Sequence, residues 1–169
     1  MGGVACNDEP IQNSVRKMIR PQLINTMSIL MHYEEIKSDI VAMTILDGII
    51  ENKSTIKDAI NYNPLLTNIG KTEKCEDKMT LCKIFKTFEI LESKISLDMV
   101  TLNNFTTTSK DTNLNKVTCS VEVGLKNMQK TIPESNSTSE PRIITADYEA
   151  QLSDNKKQVK IEIKKINSI

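Results

Sequence analysis

The amino-acid sequence predicts an α+β domain in which N-terminal helices pack on a four-stranded antiparallel sheet. Three observations carry that prediction. Apolar residues recur at helical spacing as far as Lys94, and from Ile95 onward the period changes from 3.6 to 2. The size also fits: 169 residues, 38% hydrophobic and 26% charged, suit one globular domain able to bury a core. The expected organisation is a polar N-terminal tether over 1–14 and a single domain over 15–169, helical from 15 to 94 and a sheet from 95 to 166.

In QLINTMSILMHYEEIK, Leu23, Met27, Leu30 and Met31 fall on one helical face, and Pro21 suits the first turn. SDIVAMTILDGIIENKS offers Ser38 as a cap before a segment apolar on nearly every side, which predicts a buried helix. Asp47-Gly48 within it also fits a two-residue hairpin turn, with helix the preferred reading. Ser54 would cap a short helix through TIKDAINYN, ended by Pro64. EDKMTLCKIFKTFEILESK gives the clearest stripe, Leu81, Ile84, Phe85, Phe88 and Leu91, with its lysines largely elsewhere.

The first strand is expected in ISLDMVTLNNFTTT. KVTCSVEVGLK places Val117, Cys119, Val121, Val123 and Leu125 on one face of the second. RIITADYEAQL and KKQVKIEIKKI supply the third and fourth, the last alternating Val159, Ile161 and Ile163 with charged residues. SKDTNLN and SDNKKQ have turn composition and favour antiparallel neighbours, while TIPESNSTSEPRIITA begins as a long polar loop.

Basic and acidic residues number 22 each, so no whole-molecule field gathers nucleic acid or anionic membrane. Aromatics make up 4% with no Trp, which removes the stacking platforms of single-strand binders. No apolar run approaches the roughly 20 residues needed to cross a bilayer. Neither nucleic acid nor a cofactor is expected, and the cysteine spacing fits no zinc site.

Cys82 beside the helical stripe and Cys119 on the inward strand face could staple helix to sheet, or remain small buried thiols. Cys75 could pair with Cys82 only from a loop that folds back, because seven helical residues separate the Cα atoms by about 10 Å. Cys6 sits in a polar stretch and is expected to serve for attachment; were it free of lipid, Cys75 would be its partner. His32, the single histidine, and Asp47 and Tyr148 are the polar candidates for a pocket, with no reaction spelled out between them. Lys156, Lys157, Lys160, Lys164 and Lys165 form a basic patch on the last strand, which either protects a sheet edge or docks an acidic partner.

GVAC at 3–6 resembles the end of a bacterial lipoprotein signal, where a small residue precedes the acylated cysteine. In the tail, Thr107, Thr108, Ser109, Asp111, Lys116, Cys119, Tyr148, Gln151, Ser153 and Asp154 resemble the C-terminal sheet of small Gram-negative envelope lipoproteins. That resemblance implies an envelope location on the periplasmic side, a membrane link through lipid on Cys6, a cystatin-like or NTF2-like sheet, and no catalytic residues. The expected function is a noncatalytic protein-binding or assembly module, of inhibitor or immunity type in its narrower form. The competing expectation is a small enzyme or ligand carrier with a pocket between sheet and helices.

Overall fold

The computed structural model describes residues 4–51, 54–62, 75, 80–126, 142–153 and 158–168. The fold is α+β, with helices α1 (Glu9–Leu30), α2 (Tyr33–Lys37), α3 (Ile40–Glu51), α4 (Ile56–Tyr62) and α5 (Thr80–Lys94) ahead of strands β1 (Val100–Asp111), β2 (Lys116–Leu125), β3 (Arg142–Leu152) and β4 (Val159–Ser168). The chain divides into two compact units, Met1–Leu23 with Ile95–Ile169, and Ile24–Lys94.

The first unit holds the sheet, an open antiparallel meander in the order β1-β2-β3-β4. Its period-2 pattern works as the sequence predicts. Val117, Cys119, Val121, Val123 and Leu125 of β2 are buried, as are Ile144, Ala146, Tyr148 and Ala150 of β3. The alternating polar residues form the other face, tied by ion pairs Lys116–Glu149 at 2.9 Å and Arg142–Glu122 at 2.8 Å. The β1–β2 turn is built by Asp111, whose carboxylate accepts from the Asn113 and Leu114 amides, and by Asn115 at φ 50°, the left-handed region Asn tolerates. A second left-handed residue, Asn104 at φ 56°, sits where the β1–β2 register shifts, as expected of a bulge.

The N-terminal segment corrects two expectations. Residues from Val4 onward are no tether: Val4, Cys6 and Ile11 are buried. The helix begins at Glu9, so Pro10 occupies its first turn and Pro21 lies in its interior, not in the first turn. Pro21 removes the amide that would reach the Lys17 carbonyl, at a cost of about 3 kcal/mol. Ile11, Val15, Ile19 and Leu23, all at most 1% exposed, recur every four residues as one ridge. Their burial is worth roughly 6–12 kcal/mol, which outweighs the proline and carries the helix through it. Arg16 Nε donates to the Val100 carbonyl at 3.0 Å and Arg20 Nε to the Ile95 carbonyl at 2.9 Å, fixing the helix to the entry of β1.

The second unit is helical. Leu81, Ile84, Phe85, Phe88 and Leu91 of α5 are all buried, the predicted stripe. Asp47-Gly48 lies inside α3, which settles the segment as helix and not hairpin. Its cap is Asp39, whose carboxylate accepts from the Ala42 amide at 3.0 Å, one residue beyond the expected Ser38. Contrary to a fully buried segment, only Ala42, Leu46 and Ile49 of α3 are enclosed, while Ile40 and Val41 are 78% and 67% exposed. Thr55 likewise replaces Ser54 as the cap of α4, accepting from the Asp58 amide at 3.1 Å.

Asn25, 3% exposed, uses its side-chain oxygen to accept from the Ile56 amide at 2.9 Å, which closes the first turn of α4 onto α1. Asn25→Ala leaves that buried amide without its acceptor, and the expected cost is about 1–3 kcal/mol, read by chemical denaturation. Asn25→Asp, which keeps the acceptor, is expected to lose less.

Candidate functional site

All four cysteines are paired. Cys6 bonds Cys119 with Cα atoms 5.9 Å apart, and Cys75 bonds Cys82 with Cα atoms 5.6 Å apart. A sulfur in a disulfide has no valence left for a lipid thioether, so the expected acylation of Cys6 is corrected. The expected Cys82–Cys119 staple is corrected too, as are the alternatives of buried free thiols and of a Cys6–Cys75 bridge. Cys75 stands outside α5, which begins at Thr80, and so escapes the 10 Å separation a continuous helix would impose. Two such bonds mark an oxidising, non-cytoplasmic compartment. Among the described residues, no helix is long and apolar enough to cross a membrane.

Tyr148 is not a pocket residue. It is fully buried, and its hydroxyl donates to the Cys6 carbonyl at 3.0 Å. Burial pushes the phenol well above its ordinary range. The Thr107 hydroxyl donates to Cys6 Sγ at 3.2 Å, because a disulfide sulfur has no proton to give. Asp47 is solvent-facing on α3 and lines neither of the depressions described below.

His32 has the most organised polar surroundings. It occupies the turn between α1 and α2, where its carbonyl accepts from the Ile36 amide and starts α2. Nε2 lies 2.7 Å from Thr87 Oγ1 on α5, and Nδ1 lies 3.4 Å from Glu35 Oε1. The other oxygen of Glu35 pairs with Lys83 Nζ at 3.3 Å, one turn before Thr87 on the same helix. If Nδ1 carries the proton toward Glu35, Nε2 accepts from the Thr87 hydroxyl.

Hydroxyl, imidazole and carboxylate in that order resemble a nucleophilic relay. Two features of the site oppose that use. Thr87 lies in the interior of α5, where neighbouring amides are committed to the helix ladder and cannot stabilise an oxyanion. Lys83 competes for the carboxylate at 3.3 Å. The adjoining depression, about 250 Å³, is lined by Leu30, Met31, His32, Tyr33, Glu34 and Glu35 and is shallow. A wider one of about 450 Å³ follows α4 and α5, crossed by the Lys57–Glu92 ion pair at 2.8 Å. The His32–Thr87 contact links the α1–α2 turn to α5. Nothing local in the sequence marks Thr87 as its partner.

The hydrogen bond from His32, and after it Lys83, holds the Glu35 carboxyl below its ordinary value of 4.5. A depressed folded-state pKa contributes stability that is present above pH 4.5 and is lost as pH falls through the folded value. Acid unfolding followed by circular dichroism is expected to show that loss in the wild type and a flatter profile below pH 4.5 in Glu35→Gln.

The predicted basic patch is partly visible. Lys156 and Lys157 lie outside the described residues. Lys160, Lys164 and Lys165 are exposed on β4, an edge strand, but Lys164 pairs with Glu162 at 3.0 Å and Glu149 at 3.7 Å, and Lys165 stands opposite Asp147. Mixed charge and a register shift at this point suit edge protection. Among the described residues, no group of three or more His, Cys, Asp or Glu is placed to hold a metal. No family model, curated protein or solved structure matches the chain.

Proposed function

We propose that the chain is a noncatalytic protein-binding or assembly module of the cell envelope, working on the periplasmic side, with inhibitor or immunity action as its narrower form. The observation that carries this reading is the filled interior of the sheet unit. The inward face of the sheet is occupied by the chain's own N-terminal segment, and Tyr148, the largest polar side chain there, spends its hydroxyl on Cys6. The oxidising compartment implied by the two disulfides and the likeness of the tail to envelope lipoproteins support the location. Anchoring by lipid on Cys6 is no part of the reading.

The competing reading, a small enzyme or carrier, draws its support from the His32–Thr87 contact and the depression beside it. Incubating the oxidised, tagged protein with a periplasmic extract, followed by crosslinking and mass spectrometry, separates the two. The expected result is one partner recovered in fixed ratio, equally by wild type and His32→Ala. A hydrolytic activity on ester or peptide probes that His32→Ala and Thr87→Val both abolish would overturn the binding reading.

A further inference from the structure

We propose that Cys75 Sγ is a site of thiol–disulfide exchange, where a thiolate of a dithiol reductant enters and opens the Cys75–Cys82 bond while Cys6–Cys119 stays closed. This inference rests on the two disulfides and not on the binding reading.

A thiolate has to reach one sulfur of the bond it breaks, so access decides which of two disulfides reacts. Cys6, Cys82 and Cys119 are 4%, 0% and 0% exposed, while Cys75 is only half-buried. Cys119 lies on an inner strand, opposite Thr107 of β1 and Tyr148 of β3. Its partner Cys6 is held by the Tyr148 hydroxyl on its carbonyl and by the Thr107 hydroxyl on its sulfur. A thiol meets that bond only after the segment before α1 has come away from β2. No such opening is needed at Cys75, which stands outside α5.

The consequences of opening differ as well. The short bond spans 7 residues, so its reduction returns less freedom to the chain than opening one that spans 113. Cys82 is carried by α5, whose buried stripe of Leu81, Ile84, Phe85, Phe88 and Leu91 does not involve the bond. The reduced state is therefore folded, and the short separation keeps both sulfurs in reach of closing again.

The entering thiolate forms a mixed disulfide with Cys75 Sγ as the Cys75–Cys82 bond breaks, and the electron pair leaves on Cys82 Sγ, which takes up a proton. The reductant's second thiolate then attacks its own bonded sulfur and releases Cys75, which is protonated in turn. Two electrons and two protons pass to the chain, and the dithiol becomes a disulfide.

Dithiothreitol in a graded series on the full oxidised chain tests this, with acid quenching, alkylation in denaturant and peptide mass spectrometry. The expected result is that Cys75–Cys82 opens at least about tenfold faster than Cys6–Cys119, with circular dichroism unchanged, and that the two rates converge in urea, where access is equal. A thioredoxin-type protein lacking its second cysteine is expected to be trapped on Cys75, and not to be trapped at all by the Cys75→Ser/Cys82→Ser variant. Equal rates in the native protein, earlier opening of Cys6–Cys119, or a trap on Cys82 would each overturn the proposal. Selectivity that persists in urea would overturn it too, since access could not then be its cause.

Discussion

Replacing Cys6 and Cys119 together by alanine is expected to cost far more stability than replacing Cys75 and Cys82. In the chain-entropy account, a bond spanning 113 residues removes about 4.8 kcal/mol of unfolded-state freedom, against about 2.3 kcal/mol for one spanning 7. For a chain of this size the larger figure corresponds to a fall in melting temperature of roughly 10–20 °C. The long bond has a second role, since both of its cysteines are at most 4% exposed and it fixes the segment before α1 onto β2. Thiol titration of denatured protein purified without reductant is expected to find no reactive cysteine. Peptide mapping is expected to return Cys6 linked to Cys119 and Cys75 to Cys82. A map joining Cys82 to Cys119, or equal melting temperatures for the two double variants, would refute this account.

The pairing was not legible in the sequence, and the reason is physical. Cys6 is followed at once by Asn7, Asp8 and Glu9, which give no local sign that it is buried; the ridge of Ile11, Val15, Ile19 and Leu23 that draws it in is interrupted by Pro21, which reads as a helix start. Where one face of an element supplies all of its burial, the pattern was sufficient. The α5 stripe and the β2 alternation are both reproduced residue by residue. α3 fails in the opposite sense. Its composition is that of a buried helix, yet half of its apolar side chains face solvent, because residue type alone does not say which side of a helix its own chain covers. Among the candidate site residues, His32 was legible as the one imidazole, but Thr87, 55 residues away, is brought to it only by the packing of α5.

Tyr148 joins the disulfide to the sheet, and its removal is the second large effect expected. Tyr148→Ala empties a fully buried aromatic site, with an expected cost of about 3–5 kcal/mol. Tyr148→Phe keeps the ring and leaves the Cys6 carbonyl without its donor, at an expected cost of about 1–3 kcal/mol. Urea unfolding monitored by circular dichroism reads both. Tyr148 also stands opposite Cys119 in the β2–β3 register, so Tyr148, Cys6 and Cys119 close a ring made of one hydrogen bond, one disulfide and one cross-strand pair. Opening the disulfide releases the Cys6 carbonyl from the place where the phenol meets it. A double-mutant cycle between Tyr148→Phe and the Cys6/Cys119 alanine pair is therefore expected to show coupling of about 0.5–3 kcal/mol, with the two losses together smaller than their sum. Strict additivity would mean that the hydrogen bond holds Cys6 without help from the disulfide. The pH dependence supplies an independent check. Burial raises the folded-state pKa of this phenol above its ordinary 10.0, so its contribution is complete below pH 10 and is lost as pH rises beyond it, when the unfolded chain ionises first. Alkaline destabilisation present in the wild type and reduced in Tyr148→Phe is the expected result; identical alkaline limbs would exclude Tyr148 as its source.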